Sequence, residues 1–171
     1  YFTADMYVGA IQFDYLKRMN TKKNKLTAYL GGQFNSNNTF VFWEGTNSFT
    51  YNFTHSLGVK GQLDWQLDNG NAIQSSLAIP LVNWHVRPPY NGFDKTTEAN
   101  ETRYLRLLTE DGKLTTVNKS VMLDWDIQYR IKTKGRWDFA VKYGVQYQHY
   151  NDVHSLTQLR NQFAVTGILK F

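Results

Sequence analysis

Phe53–Leu67 reads FTHSLGVKGQLDWQL. In extended chain Phe53, His55, Leu57, Val59, Gly61, Leu63, Trp65 and Leu67 point one way; Thr54, Ser56, Gly58, Lys60, Gln62, Asp64 and Gln66 point the other. A period of two held over these fifteen residues cannot be one face of a helix, whose repeat is 3.6. The stretch is therefore a long strand with one apolar and one polar face.

The flanking sequence repeats the pattern. Asp68-Asn-Gly-Asn71 is a tight hairpin signal, because Asn and Gly tolerate the positive φ of a primed turn. A strand over Ala72–Val86 follows, with Ile73, Leu77, Ile79 and Leu81 on one face; Pro80 lacks a ladder donor, so a bulge or parity change is expected there. Upstream, strands are expected from Ala4 to Met19 and from Lys25 to Asn35, joined by a turn at Asn20–Asn24. Asn35–Thr39 reads as turn-rich, followed by the cluster Phe40, Phe42 and Trp43. Downstream, Arg87 opens a long irregular segment to about Asn118, in which Tyr104–Leu108 and Leu114–Val117 read as a small projecting hairpin. Val121–Lys132 and Trp137–His149 alternate clearly around a short turn at Lys134-Gly135, and Asn151–Ser155 leads to the last strand.

Composition narrows the class. The 171 residues leave room for one domain, and no run nears the roughly 18 apolar residues of a membrane helix. Mean hydropathy is −0.51, yet 16% of residues are aromatic and only 3 are Pro. The absence of Cys removes disulfides and thiolate metal sites, and fits an envelope protein that has no use for them. Tyr1–Met6 does not open a signal peptide, so any such segment is expected to have been removed already. The net charge of +5 is spread along the chain and gives no reason to expect nucleic acid.

The direction of the apolar face decides between two barrels. In a soluble barrel it points inward; in a membrane barrel it points outward. The apolar faces carry too many large residues for a small lumen. Aromatic residues also gather in two rows: Tyr15, Trp65, Trp137 and Phe171 near short turns or the terminus, and Phe40, Trp43, Phe53, Trp84 and Tyr147 near longer connections. Short and long connections are expected to alternate, as they do between the two sides of a membrane barrel. The last strand, QFAVTGILKF, places Phe163, Val165, Gly167, Leu169 and Phe171 on one parity and ends on an aromatic residue.

With these features the chain resembles bacterial outer-membrane β-barrel proteins. The resemblance implies an all-β, antiparallel, up-and-down transmembrane barrel of about eight strands, or part of a larger one, with lipid outside and a polar lumen. It also implies that Phe163, Val165, Gly167, Leu169 and Phe171 form the signal read by the barrel assembly machinery, and that Tyr15, Trp43, Trp65, Trp84, Trp137 and Phe171 are interfacial. Seven long strands leave one count open, since single-chain bacterial barrels use an even number. Either an upward strand precedes Tyr1 in the native polypeptide, or the Tyr104–Val117 hairpin supplies a wall strand; the first respects the loop asymmetry better, so the chain is expected to lack native N-terminal residues.

The expected lumen holds Asp14, Lys60, Asp64, Asp124, Asp126, Arg130, Lys132, Asp138 and Lys142, with Arg18 and Lys170. Near-balanced charge interleaved with Gln reads first as an internal ion-pair network, and in a wider barrel as a pore lining. A lipid hydrolase is the enzymatic alternative, but His55 and Ser56 are adjacent in a strand and face opposite ways. His149 and His154 with Asp152 and Ser155 form a looser grouping, and interfacial His beside Tyr and Trp is the simpler account. The four His show no ligand spacing, so neither metal nor other cofactor is expected. In the loop, Arg87, Lys95, Arg103 and Arg106 are placed to meet lipopolysaccharide phosphates or an envelope protein, while Asp94, Glu98, Glu101, Glu110 and Asp111 make a solvated loop the simpler account. The expectation is a non-enzymatic outer-membrane barrel, porin-like or transport-associated. The alternatives are an accessory subunit of an envelope complex and a soluble ligand-binding barrel.

Overall fold

The computed structural model describes residues 3–20, 25–43, 48–87, 112–151 and 155–170. Eight strands form one antiparallel sheet: β1 (Ala4–Arg18), β2 (Leu26–Trp43), β3 (Ser48–Gln66), β4 (Ala72–Val86), β5 (Lys113–Thr116), β6 (Ser120–Ile131), β7 (Trp137–Tyr150) and β8 (Leu156–Leu169). Their order is β1-β2-β3-β4-β6-β7-β8, with β5 beside β4. The sheet curls into a half-barrel. Among the described residues it does not close on itself: β1 and β8 are its two edges.

Short-range chemistry sets the turns. Gly70 takes φ +83° in the hairpin between β3 and β4, and its amide donates to the Leu67 carbonyl at 3.0 Å. Lys25 and Asp68 pair across the same end of the sheet.

The bulge expected near Pro80 is present. Leu57 pairs with Val82 but Gly58 pairs with Pro80, leaving Leu81 as the extra residue. Parity therefore changes at this point. Ile73, Leu77 and Ile79 face the convex side below the bulge, and Val82, Trp84 and Val86 face it above, while Asn83 and His85 turn inward. Gly58 is required opposite the bulge, because a Cβ there would lie 2.4 Å from the Ile79 carbonyl oxygen.

Two expectations are corrected. Asn35–Thr39 is not a turn but the middle of β2, which runs unbroken to Trp43. Its backbone is held on both sides, by Val8–Gln12 of β1 and Asn52–Ser56 of β3. Ladder bonds from two neighbours outweigh the local preference of Asn and Ser for turns. Only residues 44–47 then separate β2 from β3, so the alternation of short and long connections rests on the segment after Arg87 alone.

The hairpin within that segment also differs from expectation. Residues 88–111, including its first strand, lie outside the described residues. Its second part is β5, which pairs Lys113–Thr116 with Val82–His85, while β6 takes Ala72–Ala78 lower on the same strand. β5 and β6 thus share one column, interrupted at 117–119. Among the described residues seven columns result, and β1 and β8 run in the same direction.

Candidate functional site

The sheet separates its side chains by parity. On the convex side β6 presents Val121, Leu123, Trp125, Ile127, Tyr129 and Ile131, and β8 presents Leu159, Phe163, Val165 and Leu169, of which Phe163 is 71% exposed. Charged residues of this parity in the described long strands are confined to the two ends of β1, at Asp5 and Lys17. Several polar convex side chains bond to one another. Trp125 Nε1 donates to Ser75 Oγ at 3.1 Å, Tyr143 Oη donates to Asn161 Oδ1 at 2.9 Å, and His149 Nδ1 and Thr157 Oγ1 lie 2.8 Å apart.

The concave side forms a partly open cavity of about 170 Å³. Gln12, Gln33, Asn35, Lys60, Asp126 and Arg160 are among the residues lining it, so both edge strands and the centre of the sheet face one hollow. Lys60 is its most enclosed charge, 6% exposed, and its Nζ donates to Asp14 Oδ2 at 2.7 Å. Gln33 Nε2 donates to the other Asp14 oxygen at 3.0 Å, and Gln12 Nε2 donates to Oδ2 at 2.8 Å. One carboxylate, itself still in contact with solvent, thus has a cation and two amide donors, and the buried ammonium of Lys60 has its counter-charge.

A second group lies on β4, β6 and β7. Ser76 Oγ donates to Asp126 Oδ2 at 2.6 Å, and Lys142 Nζ lies 3.5 Å from Oδ1. Asp124 faces the same hollow, approached by the side chains of Asn35 and Gln146. The third group closes the short-turn end. Asp138 accepts from the Thr133 amide at 2.9 Å and pairs with Lys170 at 2.9 Å and Arg130 at 3.5 Å, while Lys170 Nζ also donates to the Thr133 carbonyl at 2.7 Å. Asp64 accepts from Gln62 at 2.9 Å. Lys132 lies just past β6, exposed, with its amide on Asn71 Oδ1.

At the opposite end a cluster built on His85 and Tyr150 links the strands. His85 Nδ1 is 3.1 Å from Thr54 Oγ1 and its Nε2 is 3.0 Å from Ser120 Oγ, so one ring ties β3, β4 and β6 together. Tyr150 lies against it at 4.7 Å between centroids, and the Arg87 guanidinium stands 5.0 Å from the centre of the Tyr150 ring.

Placed against the sequence, Asp14 and Lys60 come together as a pair, Asp126 joins Lys142, and Asp138 joins Arg130. Sequence reasoning missed Arg160, although the alternation of β8 assigns it to the polar parity; among the described residues it has no ion-pair partner. It also missed His85, because the change of parity at Leu81 decides which way that ring points.

Tyr15, Trp65 and Trp137 stand on the convex side near the short turns. Trp84 stands at the loop end beside the buried Tyr51, Phe53 and Val86, with Phe40 and Phe42 against them. Trp43, also at that end, has the concave parity. Phe163, Val165, Gly167 and Leu169 share the convex face of β8, and Phe171 lies outside the described residues. So do Lys95, Arg103, Arg106, Asp152 and His154. Ser56 faces the concave side and donates to the Asn35 carbonyl, away from His55.

No protein-family model matches the chain, and no curated protein or solved structure matches it.

Proposed function

We propose that the sheet is a wall of a bacterial outer-membrane β-barrel, and that its concave side lines a porin-like aqueous path for small polar solutes. The observation that carries this reading is the inverted polarity: large apolar and aromatic side chains cover the convex side while the charges face the hollow. The internal pairing of Ser75 with Trp125 and of Asn161 with Tyr143 supports it, since lipid offers no partner to a polar group. Arg160, with no ion-pair partner among the described residues, gives the path a cationic element at mid-depth. Closing such a wall with antiparallel neighbours takes an odd number of strands besides these seven columns, because β1 and β8 run the same way.

The test is flotation with lipid vesicles, followed by conductance across a planar bilayer. Channel steps whose anion preference falls in Arg160→Glu are expected. Protein that floats but never conducts would sink the channel. A filled structural barrel would then stand in its place, a reading favoured by the enclosed Lys60–Asp14 pair and the cluster on Asp138. Protein that stays in solution without detergent would sink both.

A further inference from the structure

β2 and β3 bring a serine and a histidine together on the convex side. Ser36 and His55 are direct partners across the ladder, and Ser36 Oγ lies 2.9 Å from His55 Nδ1. Asn38 Nδ2 donates to the same Ser36 oxygen at 3.3 Å. With Nδ1 as acceptor, the Ser36 hydroxyl donates to the imidazole, the contact through which an adjacent base activates a serine as nucleophile, while the Asn38 amide stands beside the same oxygen. Asn38 also differs from the other polar groups of this side. Its Oδ1 is buried with no hydrogen-bond partner, and no other described convex side chain has a buried polar atom in that condition.

The surroundings point to the kind of substrate. Below the trio lie Phe13, Phe34, Leu57 and Val82; above it begins the buried cluster of Phe53, Tyr51 and Val86. Ser36 is ten residues beyond Leu26, the start of β2 at the short-turn end. At a strand tilt near 40° that is a height of about 25 Å, the thickness of the apolar band of such barrels. On the reading of the convex side as lipid-facing, the trio stands where acyl ester groups meet the outer boundary of the hydrocarbon. An opening exists beside it. Gly9 pairs with Asn38, and a Cβ on Gly9 would meet nothing within 4 Å.

We infer that Ser36, His55 and Asn38 form an acyl-ester hydrolase site for membrane lipid, entered over Gly9 from the lipid side. The proton of Ser36 Oγ passes to His55 Nδ1 as Oγ bonds to the acyl carbon. Asn38 Nδ2, 3.3 Å from Ser36 Oγ, supplies a donor for the charge that develops on the carbonyl oxygen. The C–O bond to the lipid alcohol then breaks, and that oxygen takes the proton from His55. Water, deprotonated by the same ring, attacks the acyl-serine, releasing the fatty acid and returning the hydroxyl of Ser36. The products are one fatty acid and one lysolipid per water consumed.

The inference rests on the membrane reading, and its test separates the two. The folded chain in detergent is treated with a small fluorophosphonate and the adduct located by mass; separately, fatty acid release is followed from phosphatidylethanolamine vesicles that the chain has floated with. Expected are an adduct on Ser36, its loss of at least about 100-fold in His55→Gln, and lipid turnover that disappears in Ser36→Ala. In Gly9→Leu, labelling is expected to stay within about twofold while lipid turnover falls at least tenfold. A folded chain that takes no adduct at Ser36, or labels equally well in His55→Gln, overturns the site. An adduct on Ser36 without fatty acid from floated vesicles overturns the lipid substrate. Failure to float overturns the membrane reading, and the lipid substrate with it, whatever the adduct shows.

Discussion

Along β6 the convex positions carry Val121, Leu123, Trp125, Ile127, Tyr129 and Ile131, and the positions between them carry Ser120, Met122, Asp124, Asp126, Gln128 and Arg130. The two sides share a backbone and satisfy themselves differently. Most concave polar groups pair with a neighbouring column, as Asp126 does with Ser76 and Lys142, but Lys60 of β3 also reaches past β2 to Asp14 of β1. Convex polar groups use a neighbouring column, as Ser75 does with Trp125 and Ser36 with His55. Curvature accounts for the difference: side chains converge inside a curl and diverge outside it. The Lys60–Asp14 pair therefore depends on tertiary shape, whereas an outer polar group depends on register alone.

The inner side is broken most severely at Lys60. Lys60→Met leaves Asp14 with two amides and no cation, and because that carboxylate keeps contact with solvent a loss of about 3 kcal/mol, the low end for breaking a buried pair, is expected by urea titration in detergent. Pairing it with Asp14→Leu should recover most of that loss; no recovery would mean that this solvent contact already satisfies the carboxylate. On the outer side, Ile127→Arg places a charge in the middle of the apolar surface, and about 2–4 kcal/mol is expected when folding is measured in lipid vesicles. Trp65→Arg near the short turns should cost about 0–1 kcal/mol in the same assay. Equal costs at the two depths would sink the lipid-facing assignment.

A third experiment addresses the point where the sides exchange parity. Gly58→Ala drives a Cβ against the Ile79 carbonyl, with about 1–3 kcal/mol lost, and the amide signals of Pro80's neighbours in β3 and β4 should move more than those of β7. The smallest effect is expected at Lys142. Its side chain is 44% exposed and stands 3.5 Å from Asp126, so Lys142→Gln should change stability by less than about 1 kcal/mol. A larger change would mean that the hollow is drier than this exposure implies.

Much of this architecture was legible in the chain. The bounds of β4, the turn at Gly70, the irregularity at Pro80 and the polar parity of Asp14, Lys60, Asp124 and Lys142 follow from period two and turn chemistry. Asn35–Thr39 misled, because five turn-forming residues in a row look the same whether or not two neighbouring strands are present to hold them. Ser36 was passed over for that reason, and Ser56, the serine adjacent to His55, proved to face the other side.

The sequence by itself determined which residues share a face, since alternation and hairpin signals act over a few bonds. Which residues of a face touch was decided by the tertiary structure. Register sets Ser36 opposite His55, the bulge at Leu81 turns His85 inward, and the curl carries Lys60 to Asp14 across 46 residues of chain. Each of these depends on how separate strands align, and no local pattern encodes that alignment.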